Sequence, residues 1–108
     1  MLKLFSRFNG SNRISGRDVE RFYHQLALLL ETGVDLGKAL SIATERATPA
    51  LRKVIHKVLE KITGGDSFAQ VLGQYPHIFP PLVVAMVRLG EENGRLEESL
   101  REAAQHLE

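Results

Sequence analysis

The chain is 108 residues long, 44% hydrophobic and 25% charged, with a formal net charge of +1. That length supports a single buried core, and that balance of apolar and charged residues excludes wholesale disorder. Cysteine is absent, which excludes disulfides, thiolate catalysis and cysteine–zinc sites and fits a reducing compartment. Five Phe, two Tyr and no Trp leave the core to Leu, Val, Ile and Ala, an all-helical palette.

The charge is unevenly placed. Lys3, Arg7, Arg13 and Arg17 stand in residues 1–17 without an acid, whereas thirteen acidic side chains outnumber ten basic ones in residues 18–108. The Gly/Ser/Asn-rich segment 1–17 is therefore expected to be a flexible basic arm, able to touch anionic lipid or an acidic protein. Met1–Phe8 has no long apolar region after its bases, so no secretory signal is expected. The longest apolar stretches, 26–30 and 78–87, fall short of the ~18–20 residues that cross a bilayer.

A first helix is expected from Asp18, where Val19, Phe22, Tyr23, Leu26, Ala27 and Leu30 recur at helical steps and Gly33 ends the run. Asp35 caps a second helix with the stripe Leu36, Ala39, Leu40 and Ala43. Pro49 opens a third, in which Leu51, Val54, Ile55, Val58, Leu59 and Ile62 face the core and Arg52, Lys53, His56, Lys57 and Lys61 face water. Gly64-Gly65 stops it, and Asp66-Ser67 with Gln70 resembles a capping box before a short fourth helix carrying Phe68, Val71 and Leu72. The segment 76–81 reads as a rigid connector anchored by Ile78 and Phe79.

The fifth helix, Pro81–Glu92, is apolar nearly all round, so it needs cover on more than one side, either from the core or from a partner. The sixth begins near Leu96 and sets Leu100, Ala103, Ala104 and Leu107 against Glu97, Glu98, Arg101 and Glu102. The sequence thus predicts an all-α, six-helix antiparallel bundle with short loops over 18–106. Leu107-Glu108 is expected to be a vector-derived tail.

Reactive groups do not assemble in this reading. His24, His56, His77 and His106 have no second histidine at a ligand spacing. Ser41 and Ser67 lack a suggested histidine–carboxylate partner, and Gly64-Gly65-Asp66-Ser67 lacks the lysine and preceding strand of a phosphate loop. No catalytic residue, cofactor or metal ligand is therefore assigned. Glu91, Glu92 and Asn93 are the weak candidates for an oxygen-rich cation site, since acids at a helix C-terminus are disfavoured unless something offsets them. Their other expected partners are Arg88 and Arg95. Nucleic acid is not expected, because the basic face of the third helix has no interleaved aromatic. Contact with a protein partner is expected instead at Arg52, Lys53, Lys57 and Lys61, and at Val84, Val87, Arg88 and Glu91.

One set of residues points to a family. Phe22, Gln25, Leu26, Leu29, Gly33, Val34 and Leu36 are followed by Gly65, Ser67 and Phe68, then Pro76 and Phe79-Pro80, and finally Gly90-Glu91-x-x-Gly94-x-Leu96. In that order and spacing they resemble the cytoplasmic domain of the type II secretion protein F family, over about Asp18 to His106. The chain departs from the pattern at His24, where arginine is common, and at Asn93, where a small hydroxyl residue is common. The resemblance implies one copy, the first of two, from a multi-pass protein at the cytoplasmic face of the bacterial inner membrane. It implies a soluble, non-enzymatic fragment that contacts an assembly ATPase and other platform proteins in type II secretion or type IV pilus assembly, and that forms a homo-oligomer, most simply a dimer. A general helical adaptor and a small metal-dependent helical domain remain the competing classes.

Overall fold

The computed structural model describes residues 13–108, all of whose regular structure is helical. Six helices follow one another: α1 Gly16–Glu31, α2 Leu36–Arg46, α3 Pro49–Thr63, α4 Phe68–Leu72, α5 Pro81–Glu92 and α6 Leu96–His106. No helix among the described residues is long and apolar enough to cross a membrane.

The first helix starts earlier than Asp18. Ser15 is its N-cap, its Oγ accepting from the Asp18 amide at 3.1 Å, while the Ser15 amide donates to Asp18 Oδ2 at 3.1 Å. Asp18 is thus the third helical residue of a reciprocal capping box rather than the opening residue. The expected basic arm consequently overlaps α1, with Arg17 already in the first turn. Lys3 and Arg7 lie outside the described residues.

Elsewhere the caps fall where their chemistry places them. Asp35 accepts from the Lys38 amide at 2.9 Å, Thr48 precedes Pro49 at the head of α3, and Ser67 accepts from Gln70 at 3.3 Å. Gly33, Gly65 and Gly94 all adopt positive φ in the turns after α1, α3 and α5.

Each helix packs on its neighbour in sequence, and α6 returns to pack on α1, so the six close into a ring around one core. The ring explains why a chain of short rods can be stable. Every helix has two neighbouring helices to pack on, whereas an isolated helix of this length would be marginal. Tyr23 and Leu26 from α1, Leu40 from α2, Ile55 and Val58 from α3, Phe68 and Leu72 from α4, Val83 and Val87 from α5 and Leu100 from α6 fill the centre. Burying each such side chain stabilises the fold by roughly 1.5–3 kcal/mol before conformational entropy is counted.

The connector between α4 and α5 contributes as much as a helix does. Phe79 is fully buried and packs against Phe22, Tyr23 and Tyr75, with ring centroids 5.8, 6.0 and 6.4 Å apart. Ile78 is partly buried beside it, so both expected anchors hold the connector to the core. Leu107, read as part of a tail, caps α6 and packs partly on the core.

Candidate interaction surfaces

The corner where α5 turns into α6 is built from the residues of the Gly-Glu motif, each with a separate job. Gly90 is buried at the contact between the two helices. A Cβ there would lie 1.9 Å from Ser99 Oγ, 2.4 Å from Ser99 Cβ and 2.8 Å from the Arg95 carbonyl. Only a residue without a side chain lets α6 approach this closely. Gly94 has φ of +70°, which reverses the chain within three residues, and the Arg95 amide then donates back to the Gly90 carbonyl at 2.7 Å. Leu96 starts α6 half-buried against the core.

Glu91 does something that its sequence neighbours do not suggest. Its carboxylate reaches across to α4 and accepts two backbone hydrogen bonds, from the Phe68 amide at 2.7 Å and the Ala69 amide at 3.0 Å. Together with Ser67, it satisfies the free amides at the start of a helix only five residues long. The expected partners Arg88 and Arg95 do not hold it; Arg95 pairs instead with Glu98 at 3.6 Å. The unfavourable position of Glu91 at the end of α5 is thus offset by the amides of a different helix.

This arrangement reassigns the candidate cation corner. Both Glu91 oxygens face amides, and Asn93 Nδ2 donates to the Leu89 carbonyl at 2.8 Å. Among the described residues no three His, Asp or Glu side chains are grouped to hold a metal ion. His24, His56, His77 and His106 are all exposed and apart.

The interaction candidates divide into buried and free. Val84 and Val87 are buried in the core and cannot meet a partner, a correction forced by the direction in which α5 faces. The free side of α5 carries Leu82, 60% exposed, and Leu89, 61% exposed, with Ala85 between them and Arg88 alongside. These positions repeat at helical spacing and form an outward apolar stripe. Sequence alone could not choose between the two stripes because neither is polar.

The basic face of α3 also divides. Arg52 is exposed yet engaged: its Nε donates to the Thr44 carbonyl at 3.2 Å and its Nη2 to the Ala47 carbonyl at 3.0 Å. It closes the end of α2, where carbonyls are otherwise free and a cation is favoured. Lys53 and Lys57 are exposed, and Lys61 is half-buried with its Nζ donating to Gln74 Oε1.

Three of the depressions on the described surface bear on contact. One of about 270 Å³ between α1 and α6 is lined by Glu20, His24, Leu28, Arg101 and Gln105 among others. A second, of about 160 Å³, is an apolar notch between α1 and α2 formed by Leu28, Leu29, Ile42, Gln25 and Arg46. A third, of about 200 Å³, lies beside the connector, with Pro76, Pro81, Ala85 and Arg88 around Phe79 and Val84. It adjoins the free side of α5. A fold with glycine-tightened corners and an exposed leucine stripe is equipped for contact.

Comparison with known proteins bears on what that contact serves. The family model described as type II secretion system (T2SS), protein F, matches residues 22–108. The type IV pilus assembly protein PilC of Thermus thermophilus is 38% identical over 91 residues, covering 83% of this chain and 22% of the relative. The type II secretion system protein F of Vibrio cholerae is 34% identical over 96 residues, covering 88% and 24%. A further relative, the type IV pilus assembly protein PilC of Pseudomonas aeruginosa, is 28% identical over 107 residues, covering 98% and 29%. The chain thus spans about a quarter of the length of the curated relatives it matches.

Proposed function

The chain belongs to the type II secretion system protein F family, and on that premise we propose that it is a non-catalytic interaction domain of an inner-membrane platform protein. In this reading it sits at the cytoplasmic face of the bacterial inner membrane, as the first of two such domains in a multi-pass protein. The remaining three quarters of the relatives' length leaves room for the second domain and the membrane spans. The domain docks the assembly ATPase and other platform subunits, and passes ATPase motion to the parts held in the membrane.

The observation that carries this reading is the free side of α5. Leu82 and Leu89 are about three-fifths exposed on a helix whose opposite side is core, and water contact with such large apolar groups is unfavourable. Arg88 flanks them and adds an orienting charge. The Gly90–Leu96 corner holds the helix at a fixed angle, so the stripe is presented rigidly and a partner need not order it.

The same stripe is our choice for a homodimer contact, because a short apolar row on one helix pairs readily with its own copy. The test is a Leu82→Asp, Leu89→Asp double variant. It should keep its helicity, lose capture of the cognate assembly ATPase and sediment as a monomer. Undiminished capture together with unchanged sedimentation would remove α5 from the interface.

A further inference from the structure

We propose that the row Lys53, Lys57 and Lys61 on α3 is a docking surface for anionic phospholipid headgroups. The three stand at successive four-residue steps, roughly 6 Å apart along the helix axis, so they form one line on one side of α3. The described residues pair none of them with an acid; the ion pairs there join Arg95 to Glu98 and Arg101 to Glu31 and Glu97. Glu60 is the single acid within α3, whereas acids outnumber bases in residues 18–108. The row is therefore net positive, with the exposed Glu60 as its one acidic neighbour on α3.

The form of the face selects lipid over an acidic protein. A protein interface is anchored by buried aromatic or aliphatic groups at its centre, and this row offers none. Among the described residues, the exposed large hydrophobic side chains, Leu28, Leu82 and Leu89, all lie on α1 and α5. None of the three depressions described above is lined by these lysines. A line of flexible ammonium groups without an anchor or cleft suits mobile phosphate groups, which need charge and not shape. The inference rests on the reading that the chain works beside a membrane, and a tethered domain would meet that surface at high effective concentration.

The test is co-sedimentation of the full chain with vesicles of phosphatidylglycerol in phosphatidylcholine, against pure phosphatidylcholine, with soluble polyglutamate titrated in parallel. The chain should bind the anionic vesicles only, and added salt should weaken binding. Replacing all three lysines by Gln should lower vesicle affinity roughly a hundredfold, at about fivefold for each charge. A Lys53→Gln, Lys57→Gln variant leaves the Lys61–Gln74 contact intact and should lose roughly twenty-five-fold on the same basis. A charge-matched control, Arg21→Gln, Lys38→Gln and Arg46→Gln, should bind as the unaltered chain does. Equal loss in the control, no loss in the lysine variants, or binding to polyglutamate but not to vesicles would each overturn the proposal. ATPase capture through α5 is a separate readout, so either idea can fail without the other.

Discussion

Glu91 links two helices through one carboxylate, and its removal has a definite cost. The Phe68 and Ala69 amides are part-buried, and each loses a charge-assisted bond when the carboxylate goes. Glu91→Ala should lower stability by about 2–6 kcal/mol, at roughly 1–3 kcal/mol for each stranded group. Glu91→Gln should recover only part of this, because its amide has one acceptor and points a donor at a donor. Thermal melts followed by circular dichroism at neutral pH check both. A calcium titration of the unaltered chain with melting as readout should show no shift, since the carboxylate oxygens are already committed. Gly90 makes a sharper case. Gly90→Ala should destabilise despite alanine's better helix propensity of about 1 kcal/mol, since its Cβ would overlap Ser99 and the Arg95 carbonyl. Adding Ser99→Gly should restore part of the loss. Tyr23 is the opposite kind of residue. Its hydroxyl is buried without a hydrogen-bond partner among the described residues, and burial pushes the phenol's pKa well above its ordinary range. The unfolded chain therefore releases this proton near pH 10 while the folded chain keeps it, so stability falls as pH rises past about 10. Tyr23→Phe should leave the neutral-pH melting temperature unchanged or higher and reduce the alkaline loss, as melts across pH 8–11 would show.

At the scale of the element, helix positions follow from short-range chemistry and helix faces do not always do so. The stripes of α1 and α3 repeat every three to four residues against a clear polar side, so Phe22, Leu26, Ile55 and Val58 are legible as core before any coordinates. Asp35, Pro49, Gly33 and Gly65 punctuate the chain by local rules that need no tertiary partner. The start of α1 was displaced because Ser15 and Asp18 each carry the N-cap signature, and only the paired hydrogen bonds decide between them. Three features were beyond periodicity. The acceptor role of Glu91 depends on amides 22 and 23 residues away. Arg52 turns toward carbonyls of the preceding helix, a choice that its place among lysines conceals. On α5 two apolar stripes compete, and packing against α4 and α6 settles that Val83, Val84 and Val87 go in while Leu82 and Leu89 stay out. The same reasoning predicts unequal responses to polar substitution along α5. Val87→Asp should prevent folding, because an unpaired carboxylate would lie in the core. Leu89→Asp should leave the unfolding free energy within about 0.5 kcal/mol of that of the unaltered chain, as for most surface changes.

For the whole molecule, the closing contact between α1 and α6 joins the first and last described helices, so stability depends on these two helices meeting. Two kinds of interaction make that closure, and their magnitudes differ. Arg101 reaches Glu31 on α1 at 3.5 Å and Glu97 on its own helix at 3.0 Å, but these groups are 40–54% exposed. Ion pairs so open to water contribute about 0–1 kcal/mol, and Arg101→Ala should shift the melt little. Leu100, on the same closing helix, is fully buried, and truncating a buried leucine costs about 2–5 kcal/mol. Leu100→Ala should therefore destabilise several-fold more than Arg101→Ala, and high salt should leave that difference standing. A chain ending at Arg95 would expose the inner faces of α1 and α5 together. It should lose the near-ultraviolet dichroism of the Phe22–Tyr23–Phe79 cluster and the cooperativity of its melt, while keeping part of its helicity. A sharp two-state transition in that truncated chain would show that five helices make a core of their own and that the ring is not the unit of folding.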